Sequence, residues 1–212
     1  MNKIVKNALI LMAITLVSGI CLGFVYDITK GPIEQQEALA QEEAYKAVFP
    51  DMAAMEPLYD GSDDMNAVKG KAAQVLAENG LEAVHIEEAY RAVDSEQTVL
   101  GVVMNLTTTE GYGGDINFSM GIQNDGTVNG IEILTIGETA GLGMKATEED
   151  FRGQFAGKKA ESFEVTKTGA SEDNQIDAIS GATITSNAMT KGVNAGLCFF
   201  QSLQKEGGVL GE

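Results

Sequence analysis

The sequence predicts an α+β fold, in which a single N-terminal transmembrane helix is followed by one domain with an antiparallel sheet packed by helices. Three observations predict it. An uncharged apolar run near the N-terminus has the length of a membrane span, the middle of the chain alternates apolar and polar residues as strands do, and apolar residues near the C-terminus recur at helical spacing. Beyond the span, a chain of 212 residues leaves room for one ordinary domain with a core.

The N-terminal span covers residues 8–26, which are 19 residues without a charge. At about 1.5 Å of rise per residue, a helix of this length crosses most of a bilayer core of about 30 Å. A cleaved signal peptide is the alternative, but it has a shorter apolar region and ends in a small-x-small cleavage site, which does not follow Tyr26. We therefore expect residues 1–30 to form a cytoplasmic tail and a retained transmembrane anchor.

Charge is unevenly distributed along the chain. Of 14 basic and 31 acidic residues, the first 30 positions contain three lysines and one acid, so 11 basic and 30 acidic residues remain and the rest carries a net charge of −19. Lys3 and Lys6 precede the span, so the positive-inside rule places the N-terminus in the cytoplasm and the domain on the outer face of the cell membrane. So acidic a domain repels phosphate backbones, which argues against nucleic-acid binding.

Residues 31–80 are predicted to form a helical stalk and leading helices. Gly31-Pro32 is expected to break the anchor helix, and a polar helix is expected to follow it. Residues 51–64 are rich in Asp, Gly and Pro and are expected to be a loop before a second helix over 65–78.

Residues 81–212 contain the strand signals of the main domain. Residues 99–106 are a compact apolar run, 116–123 alternate strictly, and 128–136 return after Asn124-Asp125-Gly126, a tight-turn sequence. These signals predict an antiparallel sheet. Apolar residues at helical spacing over 184–203 form a stripe that is expected to pack on the sheet, namely Met189, Val193, Leu197 and Phe200.

Metal and disulfide chemistry has little support in this sequence. The two cysteines lie in unlike settings, Cys21 within the span and Cys198 in the C-terminal helix, and both are expected to be reduced and structural. The single histidine, His85, is expected to be partly buried. A zinc, haem or iron–sulfur site built by this chain alone is therefore not expected.

The stretch most informative about chemistry runs from Asp177 to Thr183 and reads Asp-Ala-Ile-Ser-Gly-Ala-Thr, at the start of the C-terminal helix. The free N–H groups and partial positive charge of a helix N-terminus stabilise a bound phosphate. Ser180, Gly181 and Ala182 are small enough to let a bulky ligand approach the backbone, and Thr183 offers a hydroxyl able to form a phosphoester. The alternative is that Thr183 and the hydroxyl residues after it, Thr185 and Ser186, merely cap the helix.

The spacing of this stretch has chance odds on the order of 10⁻⁴ in such a chain, and it resembles the flavinylation motif of the FMN-binding domains found in the Rnf and Nqr electron-transport complexes. In that family the last threonine of the motif, here Thr183, takes FMN through its phosphate, and a separate flavin transferase attaches it. The resemblance implies that Ser180, Gly181 and Ala182 contact the cofactor. It also implies that Asp177 serves recognition by the transferase or shapes the acceptor loop.

Two further loops are similar to elements of that family. Residues 138–143 read Glu-Thr-Ala-Gly-Leu-Gly, with Ala140 where the family usually has proline. Residues 111–114 read Gly-Tyr-Gly-Gly. The resemblance implies that both loops help to hold a flat isoalloxazine ring, and ordinary glycine turns are the alternative. The cofactor contacts that it assigns are Glu138, Thr139, Gly141, Leu142, Gly143 and Tyr112.

The short basic tail, the single span and residues 28–33 extend the resemblance over essentially the whole chain, to the G subunit of Rnf. It implies a membrane-anchored subunit with covalent FMN that relays electrons in an ion-translocating ferredoxin:NAD oxidoreductase, together with other membrane and peripheral subunits, and that is not catalytic alone. Chain length favours this subunit over the longer C subunit of the sodium-translocating Nqr complex, which is one alternative. The other is a non-redox anchored binding or assembly module.

Overall fold

The computed structural model describes residues 2–59 and 64–207. The chain divides into two compact units, residues 1–41 and 42–212. The three-part division with boundaries after residues 30 and 80 stays a prediction about how function is distributed along the chain.

A single helix, α1, runs from Lys3 to Val48 with Pro32 inside it. The prediction that Gly31-Pro32 ends the anchor helix is therefore wrong. Proline at position 32 has no N–H to donate to the carbonyl of Ile28, a loss of about 3 kcal/mol. Ala, Glu, Gln and Leu dominate residues 34–43, and these strong helix formers favour continuation of the helix beyond the proline. Within the described chain, α1 is also the one helix that is long and apolar enough to cross a membrane.

The second unit is built on a six-stranded antiparallel meander in which each strand pairs with the next. Its strands are β1 Ala54–Pro57, β2 Val84–Val93, β3 Val99–Thr108, β4 Ile116–Gln123, β5 Thr127–Ile136 and β6 Lys158–Lys159. The predicted antiparallel sheet is confirmed, with β3, β4 and β5 at the expected positions. A small parallel pair, β7 Glu164–Thr166 and β8 Gln175–Asp177, was not predicted.

The loop expected over residues 51–64 is wrong in part, because β1 lies inside it and pairs with β2. Positions 60–63 of that loop lie outside the described residues. The turn between β4 and β5 is confirmed, although only Gly126 adopts a positive φ, of 89°. The Thr127 N–H donates to Asp125 across this turn, and this hydrogen bond holds the pKa of the Asp125 carboxyl below its usual value.

The described residues of the domain form four helical segments besides α1. They are α2 Asp64–Glu78, a 3₁₀ helix over Gly143–Thr147, the short α3 Glu149–Arg152, and α4 Thr183–Glu206. The apolar stripe predicted for α4 is confirmed, since all four of its residues are buried. Glycine lets α4 lie close to the sheet, because a Cβ on Gly192 would stand 2.8 Å from the Phe118 ring and one on Gly196 would stand 2.6 Å from the sulfur of Met120.

The opposite face of the sheet carries a smaller apolar cluster made by Tyr45, Val48, Phe49, Ala92 and Val103. Phe49 rests directly on β4, where a Cβ at Gly121 would lie 2.9 Å from its ring. The last turn of α1 is thereby part of the domain. The sheet is therefore covered on both faces, by α4 on one side and by this cluster on the other.

The prediction about the single histidine needs correction. His85 is exposed rather than partly buried, because it points away from the core between the buried neighbours Val84 and Ile86 on β2. Cys198 is half-buried at the edge of the core. Burial raises the pKa of its thiol, and the charge of Lys205 offsets this effect only in part.

Candidate functional site

A pocket of about 510 Å³ lies where the β3–β4 loop, the segment after β5 and the N-terminus of α4 meet. Ile116 at the start of β4 pairs with Ile136 at the end of β5, so the loop before β4 and the segment after β5 lie at the same edge of the sheet. A volume of this size is within the range of small-molecule sites. The residues that line it are Tyr112, Glu138, Thr139, Leu142, Gly143, Gly181, Ala182, Thr183, Ile184 and Thr185.

The structure brings together eight of the eleven residues that the sequence assigned to a cofactor site. These residues come from three stretches that are far apart in the sequence. The tertiary fold brings the stretches together. The other three, Asp177, Ser180 and Gly141, do not line the pocket. All three are exposed, and Gly141 supplies a positive φ of 76° to the turn before the 3₁₀ helix.

The N-terminus of α4 opens into the pocket without a side-chain cap. The N-cap residue is Ala182, whose methyl group cannot accept a hydrogen bond, and no other side chain caps this end in the described structure. The N–H groups of Thr183, Ile184 and Thr185 belong to the first helical turn and have no intrahelical acceptor. These three residues line the pocket. The partial positive charge of the helix end therefore also lies at the pocket. The capping role considered for Thr183 is therefore not the one observed.

The turn before Thr183 is held in place by Ser186. Its hydroxyl accepts the N–H of Ile179 at 2.9 Å and donates to the carbonyl of Ala182 at 3.0 Å. Gly181 sits in this turn with a positive φ of 79°, a conformation that few other residues adopt without strain. Ser186 is fully buried and Thr183 is half-buried beside the pocket. The segment thus presents the Thr183 hydroxyl from a fixed backbone.

The loops at residues 111–114 and 137–143 are pressed together at the other side of the pocket. A Cβ on Gly113 would stand 2.2 Å from the carbonyl oxygen of Gly137, so the two backbones are in direct contact. The carbonyl of Thr139 accepts the N–H groups of both Leu142 and Met144, at 3.1 and 3.2 Å. Both loops therefore have the fixed shape that a binding wall requires.

Glu138 joins these two loops through its side chain. Its Oε1 atom accepts the N–H of Tyr112 at 2.7 Å. Its Oε2 atom lies against Gly143, where a Cβ would stand only 2.5 Å away. The same imagined Cβ would stand 2.7 Å from the Thr185 hydroxyl, so carboxylate and hydroxyl flank one glycine. Glu138 is 8% exposed.

Asp177 lies outside the pocket, and its hydrogen bonds hold neighbouring loops. Its Oδ1 atom accepts the N–H of Ala170 at 2.6 Å, and its backbone N–H donates to the side chain of Gln154 at 2.7 Å. It stands at the end of β8, beside Thr166 of β7. This arrangement favours the loop-shaping role, and recognition by a transferase stays a prediction.

Two pocket residues were missed by the sequence, Ile184 and Thr185. Both follow Thr183 in the first turn of α4. They reach the pocket because of their position in this turn and not because of their residue type. Ile184 is also one of the few large apolar residues of the domain that are exposed. The sequence signal for Ile184 is a large apolar residue directly after Thr183, in the first turn of the predicted helix.

Apolar surface at the pocket is concentrated in three side chains. Tyr112, Leu142 and Ile184 are 72%, 43% and 53% exposed, and of the described residues after 42 only Met55 joins them among exposed large hydrophobics. Exposed apolar groups that cluster around a concave site are typical of ligand binding. An uncapped helix end for a phosphate and an apolar rim for a flat ring together fit FMN.

Gly113→Ala tests the contact between the two loops. We expect the variant to lose about 2 kcal/mol of unfolding free energy, because the added methyl would collide with the Gly137 carbonyl. Thermal unfolding of the purified protein measures the change. Gly70→Ala is the matched control, since Gly70 lies in α2 with open space around it and alanine there should stabilise the helix by up to about 1 kcal/mol. Equal effects of the two changes would contradict the described contact.

Comparison with known proteins agrees with this site. The family of FMN-binding domains matches residues 111–197, and the family of RnfG N-terminal regions matches residues 1–48. The first range contains all three stretches that build the pocket. The chain therefore contains an FMN-binding domain behind an RnfG-type N-terminal helix.

Full-length relatives define the family further. The chain is 34% identical to the G subunit of the Na⁺-translocating ferredoxin:NAD⁺ oxidoreductase complex of Acetobacterium woodii, covering 94% of this chain and 93% of the relative. It is 34% identical to the G subunit of the proton-translocating ferredoxin:NAD⁺ oxidoreductase complex of Clostridium ljungdahlii, over 84% and 80%. The G subunit of the ion-translocating oxidoreductase complex of Methanosarcina acetivorans is 31% identical, over 92% and 93%.

The chain belongs to the family of G subunits of ion-translocating oxidoreductase complexes. The family membership predicted from the flavinylation motif is thereby confirmed. Among solved structures, NqrC of Shewanella oneidensis is similar with a TM-score of 0.46 and 21% identity, over 55% of this chain and 60% of that chain.

Proposed function

We propose that this chain carries FMN covalently through a phosphoester on Thr183 and relays electrons as a subunit of an Rnf-type ferredoxin:NAD oxidoreductase. Family membership supports the assignment to the complex. The single observation that carries the covalent link is the position of Thr183, which lines the pocket at the first residue of a helix whose N-cap is alanine.

The covalent bond would form at the Thr183 hydroxyl. The Thr183 oxygen would attack the flavin-side phosphorus of a flavin dinucleotide, forming a new P–O bond while the P–O bond of the pyrophosphate breaks. A nucleoside monophosphate would leave, and a base of the transferase would take the hydroxyl proton. The backbone N–H groups and the dipole at the first turn of α4 would then stabilise the charge of the phosphate. Ser186 holds the turn that fixes this geometry.

Bound FMN supplies the one- and two-electron chemistry that amino-acid side chains lack. The chain's own residues then have three tasks. The helix end would bind the phosphate, the apolar side chains of Tyr112, Leu142 and Ile184 would pack against the ring, and the loops joined by Glu138 would keep the wall rigid. None of these tasks needs a general acid or a nucleophile during turnover, so the subunit is not catalytic alone.

Membrane anchoring is part of the same proposal. Helix α1 contains a stretch long and apolar enough to cross a membrane, and it exposes its large apolar side chains. The lysines that precede the span favour a cytoplasmic N-terminus and a domain on the outer face. A covalent link suits that location, because a cofactor lost outside the cell has no cytoplasmic pool to replace it.

Mass spectrometry of the full chain, purified from its host in detergent, tests the covalent link. We expect the peptide that contains Thr183 to carry the added mass of one FMN less water, and the denatured band to fluoresce as a flavin in a gel. An unmodified Thr183 peptide, in cells that contain the flavin transferase, would refute the proposal. It would favour the non-redox binding or assembly module.

A further inference from the structure

Glu138 stands apart from every other acidic residue that the structure describes. It is the one charged residue in the buried set, whose other polar members are Asn105, Thr108, Ser119, Thr185, Ser186 and Thr190. It also lines the flavin pocket. Burial and position therefore single out the same carboxylate.

The Glu138 carboxylate has no cation beside it among the described side chains. Those side chains form nine ion pairs, and Glu138 takes part in none of them. Its hydrogen bond comes from a neutral donor, the N–H of Tyr112. A buried carboxylate without a counter-charge opposes folding, because removal from water is not offset by an ion pair. Such a group at a site indicates a role there.

The surrounding loop is shaped to accept this group. Any side chain at position 143 would meet Glu138 Oε2 at 2.5 Å, and glycine at this position leaves the carboxylate its space. Glu138 therefore performs two separable tasks. Its Oε1 atom holds the β3–β4 loop by accepting the N–H of Tyr112, and its carboxyl group is buried against the pocket without a cation beside it.

We propose that Glu138 is a positioning residue that also sets the electrostatic potential of the pocket, holding a negative charge beside the bound flavin and thereby lowering the flavin's reduction potential. The inference rests on the proposed function of the pocket. Each electron that arrives from a donor adds negative charge to the site unless a proton follows. A buried carboxylate held close to the flavin opposes that added charge.

Spectroelectrochemical titration of the full-length, flavin-loaded protein with dithionite as reductant tests the charge. Glu138→Gln keeps the shape and an oxygen able to accept the Tyr112 N–H, and it removes the charge. We expect the flavin that this variant carries to have a midpoint potential shifted to more positive values. Glu148→Gln is the matched control, because Glu148 is exposed, lies outside the pocket and loses the same charge. Its potential should not move.

A second variant, Glu138→Ala, tests the positioning task. It removes the acceptor as well as the charge, so flavin loading and thermal stability should fall below those of Glu138→Gln. An unchanged midpoint potential in the glutamine variant would overturn the electrostatic role, and equal loading of the two variants would overturn the positioning role. Absence of flavin from the unchanged protein would refute the proposed function itself, and the inference with it.

Discussion

Thr183→Ala should abolish covalent flavin while leaving the protein folded. The substitution removes the hydroxyl of the first residue of α4. It removes no capping hydrogen bond, because no side chain caps this end of the helix in the described structure. We expect the unfolding free energy to change by no more than about 0.5 kcal/mol. In-gel fluorescence and the intact mass of the purified full chain measure the loss of flavin, and thermal unfolding measures the stability.

Two controls sharpen this result. Thr183→Ser keeps a hydroxyl at the same position, so it should recover part of the flavin. Thr98→Ala removes an exposed threonine from the turn between β2 and β3 and should load normally. Full loading of Thr183→Ala would show that another hydroxyl carries the flavin. Thr185, which also lines the pocket, is then the residue to change next.

The prediction of the fold was most accurate where alternation of apolar and polar residues, or an apolar run, is unbroken. Strands β3, β4 and β5 have eight to ten residues, and each matches its predicted range closely. Strand β2 has ten residues and was missed, because the adjacent acidic residues Glu87 and Glu88 interrupt its alternation of apolar and polar residues. Strands β1, β6, β7 and β8 have two to four residues and exist through distant pairing partners, which local sequence does not encode.

In the candidate site, too, local sequence predicts some features and tertiary packing determines the others. Motif spacing identified Thr183 and both loops, since these positions need particular residue types for their chemistry or their backbone shape. Spacing does not tell which way each side chain points. Asp177 and Ser180 are close to Thr183 along the chain and still lie outside the pocket, whereas Glu138 is 45 positions away and lies within it. Tertiary packing of α4 on the sheet decides between them.

Surface labelling of intact cells should show on which side of the membrane the domain lies, because the two orientations predict opposite labelling patterns. Asp173→Cys places a thiol in the exposed loop between β7 and β8, and Asn2→Cys places one in the short tail before the span, each in a chain with Cys21→Ser and Cys198→Ser. If the lysines of the tail keep the N-terminus in the cytoplasm, a membrane-impermeant maleimide should label position 173 in intact cells and position 2 only after the membrane is opened. The reverse pattern would place the domain in the cytoplasm. Labelled domain released into the medium would show instead that the apolar run is cleaved as a signal peptide.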